Sequence, residues 1–584
     1  VYGSATQYYT WQQDHYYALV DGDMLMRYLR VFDLVQSGDW YNNFIRRDNY
    51  PYGNLIPWTR LFDLVVLLPA ALFKVLAAMD WKDAIFWSGT IISPILYMIS
   101  VAGLLWAAKP LRFGIVENAL MVLFFLFNPY SPVTFLFGRG DHHSLLCGLF
   151  IGVIGAFLRL LEDVNNRRQR LVVVVLLALG LWVSAEFLAA IFFCMAVLAV
   201  LYMLHKPDIE KAILELSVLL VVLCIPLVLL EKPPADFLVV ENDRISIVHV
   251  VLFFFVSCGA WLNIKLDPYL RSRKNRILIL IVEFIALFAA MAWLFPRFYL
   301  GPYAAFTPEQ IKAWFPNIEE MRSILWQREP FIFFLLLSFG IGLTGLRISF
   351  QQKEVTFNQG LFIAATLVGY TALFCVAARW NYYLMPVLAI GCGLFCKAVT
   401  TTFSSYKTKQ KAMAVVGGIV AAVLLLPRQD FSLINEKITY DETHWKCQTA
   451  LYYMIENGTL DNYANFDGKV VMTTDNIPPW LLFWTGARTI GSNYTRNVEG
   501  MRDTNVFYET RDRKVFDDIL KRRHVEYIIV CPASKPDAQK QINRLIAGDK
   551  SFAHWQRIHY PLPKIPFLKD LPPDRYPLVY RRRG

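Results

Sequence analysis

Charged residues are scarce in this chain, and the signatures of several common enzyme classes are missing from it. Only 18% of the 584 residues are charged, whereas 56% are hydrophobic and 15% are aromatic. Such a balance lies outside the range of soluble globular domains. The sequence contains no P-loop, no dinucleotide-binding fingerprint, no zinc-ligand spacing and no internal repeat. These absences argue against ATPase and redox chemistry.

Cysteine does not form a disulfide framework either. Two cysteines, Cys447 and Cys531, lie in polar sequence, where a disulfide is compatible with the sequence but not fixed by it. The other seven lie inside apolar segments and are expected to pack as small hydrophobic residues: Cys147, Cys194, Cys224, Cys258, Cys375, Cys392 and Cys396. The formal charge of +11 comes mostly from short loops between apolar segments. It therefore indicates topology, and we expect no nucleic-acid partner.

Long apolar segments are what the chain has in abundance. A hydrocarbon core about 30 Å thick needs roughly 20 apolar residues per helix, and such segments recur between residues 61 and 427. We predict spans near 85–108, 113–137, 144–162, 171–184, 186–204, 212–230, 247–264, 276–296, 331–349, 356–378, 381–398 and 411–427. The expected fold is a polytopic α-helical membrane protein of about 12 to 13 transmembrane helices. We also expect a membrane helix to precede Val1.

Three regions follow from this pattern. Residues 1–84 are expected to form a first outer loop with amphipathic or interfacial helices, and the segment 61–79 is assigned as interfacial or as half a hairpin. Residues 85–427 are the transmembrane domain, with a long outer loop at 297–330. Residues 428–584 are expected to be a soluble α/β domain, because strand-like GKVVMTT and VEYIIVC flank the helical ETRDRKVFDDILKRR.

The distribution of basic residues predicts the orientation. Alternate loops carry the lysine and arginine residues and are predicted to be cytoplasmic, for example around 265–276 and 397–411. The remaining loops and the C-terminal domain then face the other side of the membrane and collect the unusual polar residues. We expect the inner membrane of a bacterium, with the active site and the C-terminal domain in the periplasm.

Two acidic motifs stand out on this outer face. Asp21 and Asp23 in DGDMLMR precede an amphipathic helix, where carboxylates also serve as plain helix caps. Asp141 and His143 in GRGDHHSLL stand two residues apart at the mouth of a membrane helix, with His142 between them as an additional candidate. Ionisable groups at that depth are costly and usually functional. Carboxylates from two loops and an imidazole together suit a divalent cation such as Mg²⁺ or Mn²⁺.

Two further motifs lie in later outer loops. The long loop contains the acidic pair Glu319 and Glu320, which is either functional or merely solvated. Arg379 in ARWNYYLMP lies at the outer end of a span, where its guanidinium either grips a phosphate or reaches to the interface. Glu186 in WVSAEF is a further intramembrane acid with no partner that the sequence identifies.

The order of these motifs resembles a GT-C glycosyltransferase related to the catalytic subunit of oligosaccharyltransferase. That family transfers glycans from a polyprenyl-phosphate or pyrophosphate carrier, with a metal held by acidic residues of outer loops. The resemblance implies metal-ligand roles for Asp21, Asp141 and His143. It implies that Glu320 reaches both metal and acceptor and has a catalytic role with Asp21, and that Arg379 contacts the lipid-linked phosphate.

The chain departs from the family at two places. His143 stands where the family usually has a carboxylate, and the sequon-reading WWDYG motif is replaced by TTDNIPPWLLFWTGARTIGSNYTRN. In this segment Trp480 and Arg488 keep a spacing like that of the family and are additional site candidates. The acceptor is therefore expected to be a glycan, a lipid or a protein, including hydroxyl side chains.

Alternatives to this function remain at the sequence level. A metal-independent GT-C enzyme would move one sugar from polyprenyl monophosphate, with Asp21 alone as base and His143 structural. A non-catalytic membrane scaffold would need none of these residues. A transporter would need inverted repeats and polar residues at mid-membrane, and the sequence has neither.

Overall fold

A computed structural model describes most of the chain. It covers residues 22–308, 318–326, 329–402, 406–425, 442–474, 476–492, 494, 496–532, 536–562 and 571–583. The predicted site residue Asp21 lies outside the described residues.

Helices dominate the N-terminal three quarters of the described chain. They are α1 (Gly22–Ser37), α2 (Arg60–Leu76), α3 (Trp81–Ala108), α4 (Ile115–Phe127), α5 (Ser131–Thr134), α6 (His142–Leu160), α7 (Arg167–Val183), α8 (Leu188–Met203), α9 (Ile209–Glu231), α10 (Ile247–Leu266), α11 (Arg273–Leu294), α12 (Glu329–Gln351), α13 (Phe357–Val376), α14 (Asn381–Thr402) and α15 (Tyr406–Leu425). Two short strands, β1 (Phe44–Ile45) and β2 (Asn54–Leu55), pair between α1 and α2.

Nine helical segments among the described residues are long and apolar enough to cross a membrane. They contain α3, α6 and α8 to α14, and each lies at a predicted span. The other three predicted spans overlap α4, α7 and α15. The expectation of a polytopic α-helical membrane fold is confirmed. The segment 61–79 forms α2, and its relation to the membrane surface stays a prediction.

The predicted span 113–137 is longer than the helix that forms there. Helix α4 ends at Phe127, because the Asn128 side chain binds the chain that follows. Its Oδ1 accepts hydrogen bonds from the backbone N–H groups of Tyr130 and Ser131 at 3.0 and 2.9 Å. An Asn-Pro turn of this kind stops a helix before the apolar run is exhausted. The remaining apolar residues form α5 and the approach to α6.

Helix α14 lies at the centre of the membrane part. Of the residues in its apolar stretch, 83% are buried, against 6% in α11. It packs against α4, α12, α13 and α15. A site at the N-terminal end of α14 is therefore carried by the most buried of the nine long apolar helices that the structure describes.

The C-terminal region is an α/β domain, as expected. Its elements are α16 (Glu442–Glu456), α17 (Thr459–Ala464), β3 (Val470–Met472), α18 (Pro478–Trp484), β4 (Arg488–Thr489), α19 (Val498–Glu509), α20 (Arg513–Arg522), β5 (Tyr527–Val530), α21 (Gln541–Ile546), β6 (Trp555–Ile558) and β7 (Leu578–Arg582). The strands form one sheet in the order β4-β3-β5-β7-β6. Strand β3 is parallel to β4 and β5, whereas β7 is antiparallel to β5 and β6. A disulfide joins Cys447 to Cys531.

The loop after α1 fixes this domain to the membrane part. The Thr489 N–H donates to the Arg47 carbonyl at 2.7 Å, and the Tyr50 N–H donates to the Thr489 carbonyl at 2.9 Å. Buried Asp48 accepts a hydrogen bond from the Thr489 hydroxyl at 3.2 Å. The loop therefore continues the edge of the sheet beside β4.

Candidate active site

Asp141 and two histidines form a compact buried cluster at the start of α6. Asp141 is the residue before the helix, and its carboxylate lies between two imidazoles. His142 Nδ1 lies 2.6 Å from Asp141 Oδ1, and His143 Nδ1 is hydrogen-bonded to Asp141 Oδ2. One potential ligand atom from each residue lies within 4.8 Å of the others. The predicted motif therefore gathers three candidate metal ligands.

Glycine makes room for this arrangement. A Cβ at Gly140 would lie 2.3 Å from the Tyr28 hydroxyl and 2.7 Å from the Gly89 carbonyl oxygen. A Cβ at Gly89 would meet the Tyr28 ring at 2.1 Å. Tyr28 of α1 is thus wedged between α3 and the turn that leads into Asp141. The two glycines let the acid and histidine motif sit directly against α1.

The donor set of this cluster fits a divalent cation. The His143 Nε2 is buried and has no hydrogen-bond partner among the described residues. An imidazole whose Nδ1 is held by a carboxylate presents its other nitrogen to a metal. Mixed carboxylate and imidazole donors accept ions such as Mn²⁺ or Zn²⁺ as readily as Mg²⁺.

Arg27 of α1 borders the cluster. Its Nη2 lies 3.3 Å from His142 Nδ1, and its guanidinium carbon lies 4.4 Å from the centre of the Trp58 ring. Arg27 Nη1 donates to Asp63 at 3.2 Å. The Arg27 guanidinium and the Asp141 carboxylate therefore both contact the same nitrogen of His142.

A second cluster surrounds Arg379, which lies just before the N-terminal end of α14. Arg379 Nη2 donates to Glu186 Oε2 at 2.7 Å, and its Nη1 lies 3.8 Å from Glu320 Oε1. The other oxygen of each carboxylate accepts a tyrosine hydroxyl. Tyr383 donates to Glu186 at 3.0 Å and Tyr382 donates to Glu320 at 3.1 Å. One arginine is therefore flanked by two carboxylates, each held by a tyrosine of α14.

Tyr382 joins the two clusters into one site. Its ring stacks on His143 with 4.1 Å between the ring centroids, while its hydroxyl holds Glu320. Burial raises the pKa of Glu320, but the charges of Arg379 and His143 outweigh this effect and hold that pKa below its ordinary value. Glu320 is thus ionised at neutral pH and lies between the candidate metal ligands and the arginine.

Solved structures with a similar fold are known. The chain aligns with the apo form of the Archaeoglobus fulgidus oligosaccharyltransferase at a TM-score of 0.69 and 12% identity, over 95% of this chain and 72% of that chain. This chain therefore has the same fold, which is the GT-C-like membrane fold expected from the sequence. Identity this low shows the fold alone.

Two further structures of the archaeal enzyme agree with this GT-C fold. The complex of the oligosaccharyltransferase AglB with an inhibitory peptide and a dolichol-phosphate matches at a TM-score of 0.68 and 11% identity, covering 95% of this chain and 72% of that one. The complex of that enzyme with Zn and sulfate matches at 0.63 and 12%, covering 94% and 70%. No protein-family model and no curated protein sequence matches the chain.

Within the GT-C fold, the first acidic motif is only partly described. Asp21 lies outside the described residues, so its predicted ligand role stays a prediction. Asp23 lies in the first turn of α1. The carbonyl of Gly22 accepts a hydrogen bond from Tyr494 at 3.1 Å, and the Tyr494 ring packs on Trp58 with centroids 5.2 Å apart. The Trp58 ring also contacts Arg27 and His142, so Tyr494 and Trp58 connect the start of α1 to the histidine cluster.

Of Glu319, only the backbone, in the turn Glu319–Met321, is described.

The segment in place of the family's sequon-reading motif lies against α1. Helix α18 packs on α1, with Phe483 and Tyr28 ring centroids 6.1 Å apart. Trp480 is 1% exposed and stacks on Tyr452 at 4.4 Å, inside the core. Arg488 packs over the Tyr50 ring and donates to the Tyr50 hydroxyl at 3.1 Å. The described contacts of both candidates are therefore structural, and their roles in acceptor binding stay predictions.

Sequence reasoning did not find Arg27, Tyr382 or Tyr383, and it left Glu186 without a partner. For Glu186 the signal was present, because an acid in an apolar segment needs a counter-charge. Arg379 was the available cation, but 193 positions separate the two residues. Tyr382 and Tyr383 stand three and four positions after Arg379, so they share its helix face. Nothing in the local sequence of Arg27 distinguishes it from a solvated arginine.

Proposed function

We propose that the chain is a membrane glycosyltransferase that transfers a sugar or an oligosaccharide from a polyprenyl-phosphate or pyrophosphate carrier to an acceptor on the outer face. The observation that carries the proposal is the convergence of Asp141, His143, Glu320 and Arg379 on one site through Tyr382. These groups come from three separate loops and helix ends. Their meeting place in a GT-C fold supports an oligosaccharyltransferase-like reaction.

Arg379 is the proposed phosphate ligand. Its guanidinium has a buried Nε with no hydrogen-bond partner among the described residues. Among the described residues, its Nη1 donates to the weak acceptor Met321 Sδ at 3.4 Å and lies 3.8 Å from Glu320 Oε1. These donors are available to phosphate oxygens, for which the planar guanidinium is well suited. Charge that develops on the leaving phosphate would be stabilised by this fixed cation.

The cation site is proposed to consist of Asp21, Asp141, His143 and Glu320, with Mn²⁺ or Mg²⁺ as the ion. A divalent cation supplies charge stabilisation for the leaving phosphate when it is bound. Asp141 and His143 fix each other's orientation, and His142 lies within reach as a further ligand. Glu320, or Asp21, is the proposed base that orients the acceptor and removes its proton.

The donor lipid and the acceptor are the proposed partners. The AglB structure with an inhibitory peptide and a dolichol-phosphate supports a polyprenyl donor and an acceptor bound to this fold. The chain offers apolar outer surfaces on α11 for lipid, including exposed Leu278, Phe284 and Trp293. The acceptor is proposed to be a glycan, a lipid or a protein, because α18 replaces the sequon-reading motif.

The active site and the soluble domain are proposed to face the periplasm of a bacterial inner membrane. The disulfide between Cys447 and Cys531 supports this side, because disulfides persist in oxidising compartments. The basic loops predicted to be cytoplasmic lie at the opposite ends of the helices. Protease accessibility of the soluble domain in inside-out and right-side-out vesicles tests this orientation.

Transfer from defined donors tests the proposal. The full chain in nanodiscs is incubated with labelled polyprenyl monophosphate and diphosphate sugars and a membrane extract that supplies acceptors. We expect a labelled product with the wild type and a loss of at least about 100-fold in Arg379→Ala, because the phosphate loses its fixed counter-charge.

A matched control is a surface charge of the soluble domain. Asp537→Asn breaks an exposed ion pair with Arg511 and is expected to leave transfer unchanged. Full transfer by Arg379→Ala would contradict the assigned phosphate site. Absence of transfer by the wild type with every donor and acceptor would contradict the proposed function itself.

A further inference from the structure

Glu186 is an intramembrane acid that the proposed reaction does not yet use. It lies in the turn Ala185–Phe187 between α7 and α8, and its side chain is 11% exposed. Both carboxylate oxygens are engaged, one by Arg379 and the other by the Tyr383 hydroxyl. Tyr383 is itself 1% exposed. The carboxylate is therefore a fixed charge next to the arginine.

The backbone around Glu186 is equally well anchored. The Ser184 hydroxyl accepts a hydrogen bond from the Glu186 N–H at 3.4 Å. The next residue, Phe187, is fully buried and packs where a Cβ on Gly180 would stand 2.3 Å from its ring. The turn cannot move outward without exposing that ring. The backbone that carries Glu186 is thus held by contacts with the end of α7.

The two carboxylates beside Arg379 differ in how tightly they hold it. Glu186 lies at 2.7 Å, whereas Glu320 lies at 3.8 Å and has a side chain that is 35% exposed. Recruitment of Glu320 to a cation would leave Arg379 and Glu186 as a neutral pair. A phosphate that approaches this pair gains the attraction of the guanidinium and also meets the repulsion of the carboxylate bound to it.

We propose that Glu186 is a positioning residue that orients Arg379 and lowers its affinity for the phosphate of the lipid carrier. This inference rests on the proposed function, because it assumes that Arg379 receives that phosphate. The donor is a large lipid that also binds through its apolar tail. An Arg379 guanidinium without a carboxylate partner would therefore retain the polyprenyl phosphate after the sugar has been transferred. The adjacent carboxylate lowers the affinity of the site for that product and allows turnover.

A neutral variant of nearly the same shape separates the charge of Glu186 from its packing. Glu186→Gln keeps an oxygen that accepts from Arg379 but removes the negative charge. Binding of undecaprenyl phosphate and of dolichyl phosphate to the full chain in nanodiscs is measured, with the uncharged polyprenols as controls. We expect Glu186→Gln to bind both phosphates about tenfold more tightly and the polyprenols equally well.

Kinetics provide the second readout. With the acceptor saturating and the donor concentration varied, we expect Glu186→Gln to show a lower KM for the donor together with a lower kcat, because product release slows. Glu186→Met is a second neutral variant, to be used if Glu186→Gln does not fold. We expect it also to bind the polyprenyl phosphates more tightly and to have a lower kcat. Asp537→Asn serves as the control for a removed carboxylate.

The outcomes distinguish this inference from the proposed function. Unchanged or weaker phosphate binding in both neutral variants, with active wild type, would overturn the role of Glu186 and leave the transferase standing. Equal changes in phosphate and polyprenol binding would assign Glu186 a purely structural role. Wild-type protein that neither binds polyprenyl phosphates nor transfers sugar would instead contradict the proposed function.

Discussion

His143 and Tyr382 stack with ring centroids 4.1 Å apart and planes 27° apart. This contact connects α6, which carries the acid and histidine motif, to α14, which follows Arg379. The same tyrosine donates to Glu320 from the long outer loop. Three parts of the chain that are remote in sequence therefore depend on one aromatic side chain for their relative positions.

Two substitutions at Tyr382 separate its ring from its hydroxyl. Tyr382→Phe removes the hydrogen bond to Glu320 and is expected to lower transfer by about fivefold, since such bonds contribute about 1 kcal/mol. Tyr382→Leu also removes the stack on His143, and its transfer rate is expected to be up to about tenfold lower than that of Tyr382→Phe. Transfer rates of both variants at matched expression test this order. Equal rates in the two variants would show that the ring contact does not matter.

The buried ion cluster behind the site depends on one carboxylate. Asp63 lies within 3.2 Å of Arg27, Arg30 and Arg60. Asp63→Asn would leave three buried guanidinium groups without this counter-charge, and we expect a loss of about 3 to 5 kcal/mol in the free energy of unfolding. Thermal unfolding in detergent measures the loss. The exposed Asp208, which pairs with Lys211, is the matched control, and its change to Asn should leave the unfolding midpoint unaltered.

Attachment of the soluble domain is expected to weaken in acid. Burial raises the pKa of Glu241, but Arg244 and Arg496 more than offset this effect and lower the pKa from 4.5 to about 2. A depressed carboxyl pKa gives stability that is fully present above about pH 4.5 and is lost as the pH falls toward 2. Arg496 of the soluble domain lies 2.8 Å from Glu241 in the loop after α9.

Hydrogen exchange around that loop measures this effect. Between pH 5 and pH 3, we expect a progressive loss of protection in residues 231–246, corrected for the intrinsic exchange rate. In Glu241→Gln the protection should be low already at pH 5 and should change less with pH. Protection that is independent of pH in the wild type would contradict the ion-pair account.

The disulfide is expected to stabilise the soluble domain. Cys447 and Cys531 are 84 positions apart, and closing a loop of that length in the unfolded chain contributes about 4 to 5 kcal/mol in the chain-entropy treatment. Cys447→Ser should therefore lower the unfolding midpoint of this domain and increase its proteolysis. Cys258→Ser changes a free, exposed cysteine and serves as the control. An unchanged midpoint in Cys447→Ser would argue against a stabilising bond.

The fold was more predictable from the sequence than the site. A run of some 20 apolar residues has few outcomes other than a membrane helix, so the order of the spans follows directly from the hydropathy pattern. Exact ends depend on local chemistry, as the early stop of α4 before Asn128 illustrates. The C-terminal strands were visible as short β-branched runs around a charged helix. Their order in the sheet depends on long-range pairing and was not predictable.

Single site residues could be proposed from the sequence, but their contacts could not. Asp141 and His143 are close neighbours in the chain, so their meeting requires only the start of a helix. The pairing of Glu186 with Arg379 depends on the packing of α8 against α13, which no local pattern specifies. The position of Tyr382 between His143 and Glu320 depends on the packing of α14 against α6.

If Asp21, Asp141, His143 and Glu320 hold a metal ion, sugar transfer requires a divalent cation. Transfer from a labelled polyprenyl donor is measured after EDTA treatment and during a titration with Mn²⁺, for wild type, Asp21→Ala and Asp141→Ala. The account predicts that EDTA abolishes wild-type transfer, that Mn²⁺ restores it, and that both variants stay at least about 100-fold slower at every Mn²⁺ concentration. Transfer that withstands EDTA and persists in Asp141→Ala would contradict the account and indicate a metal-independent transferase of single sugars.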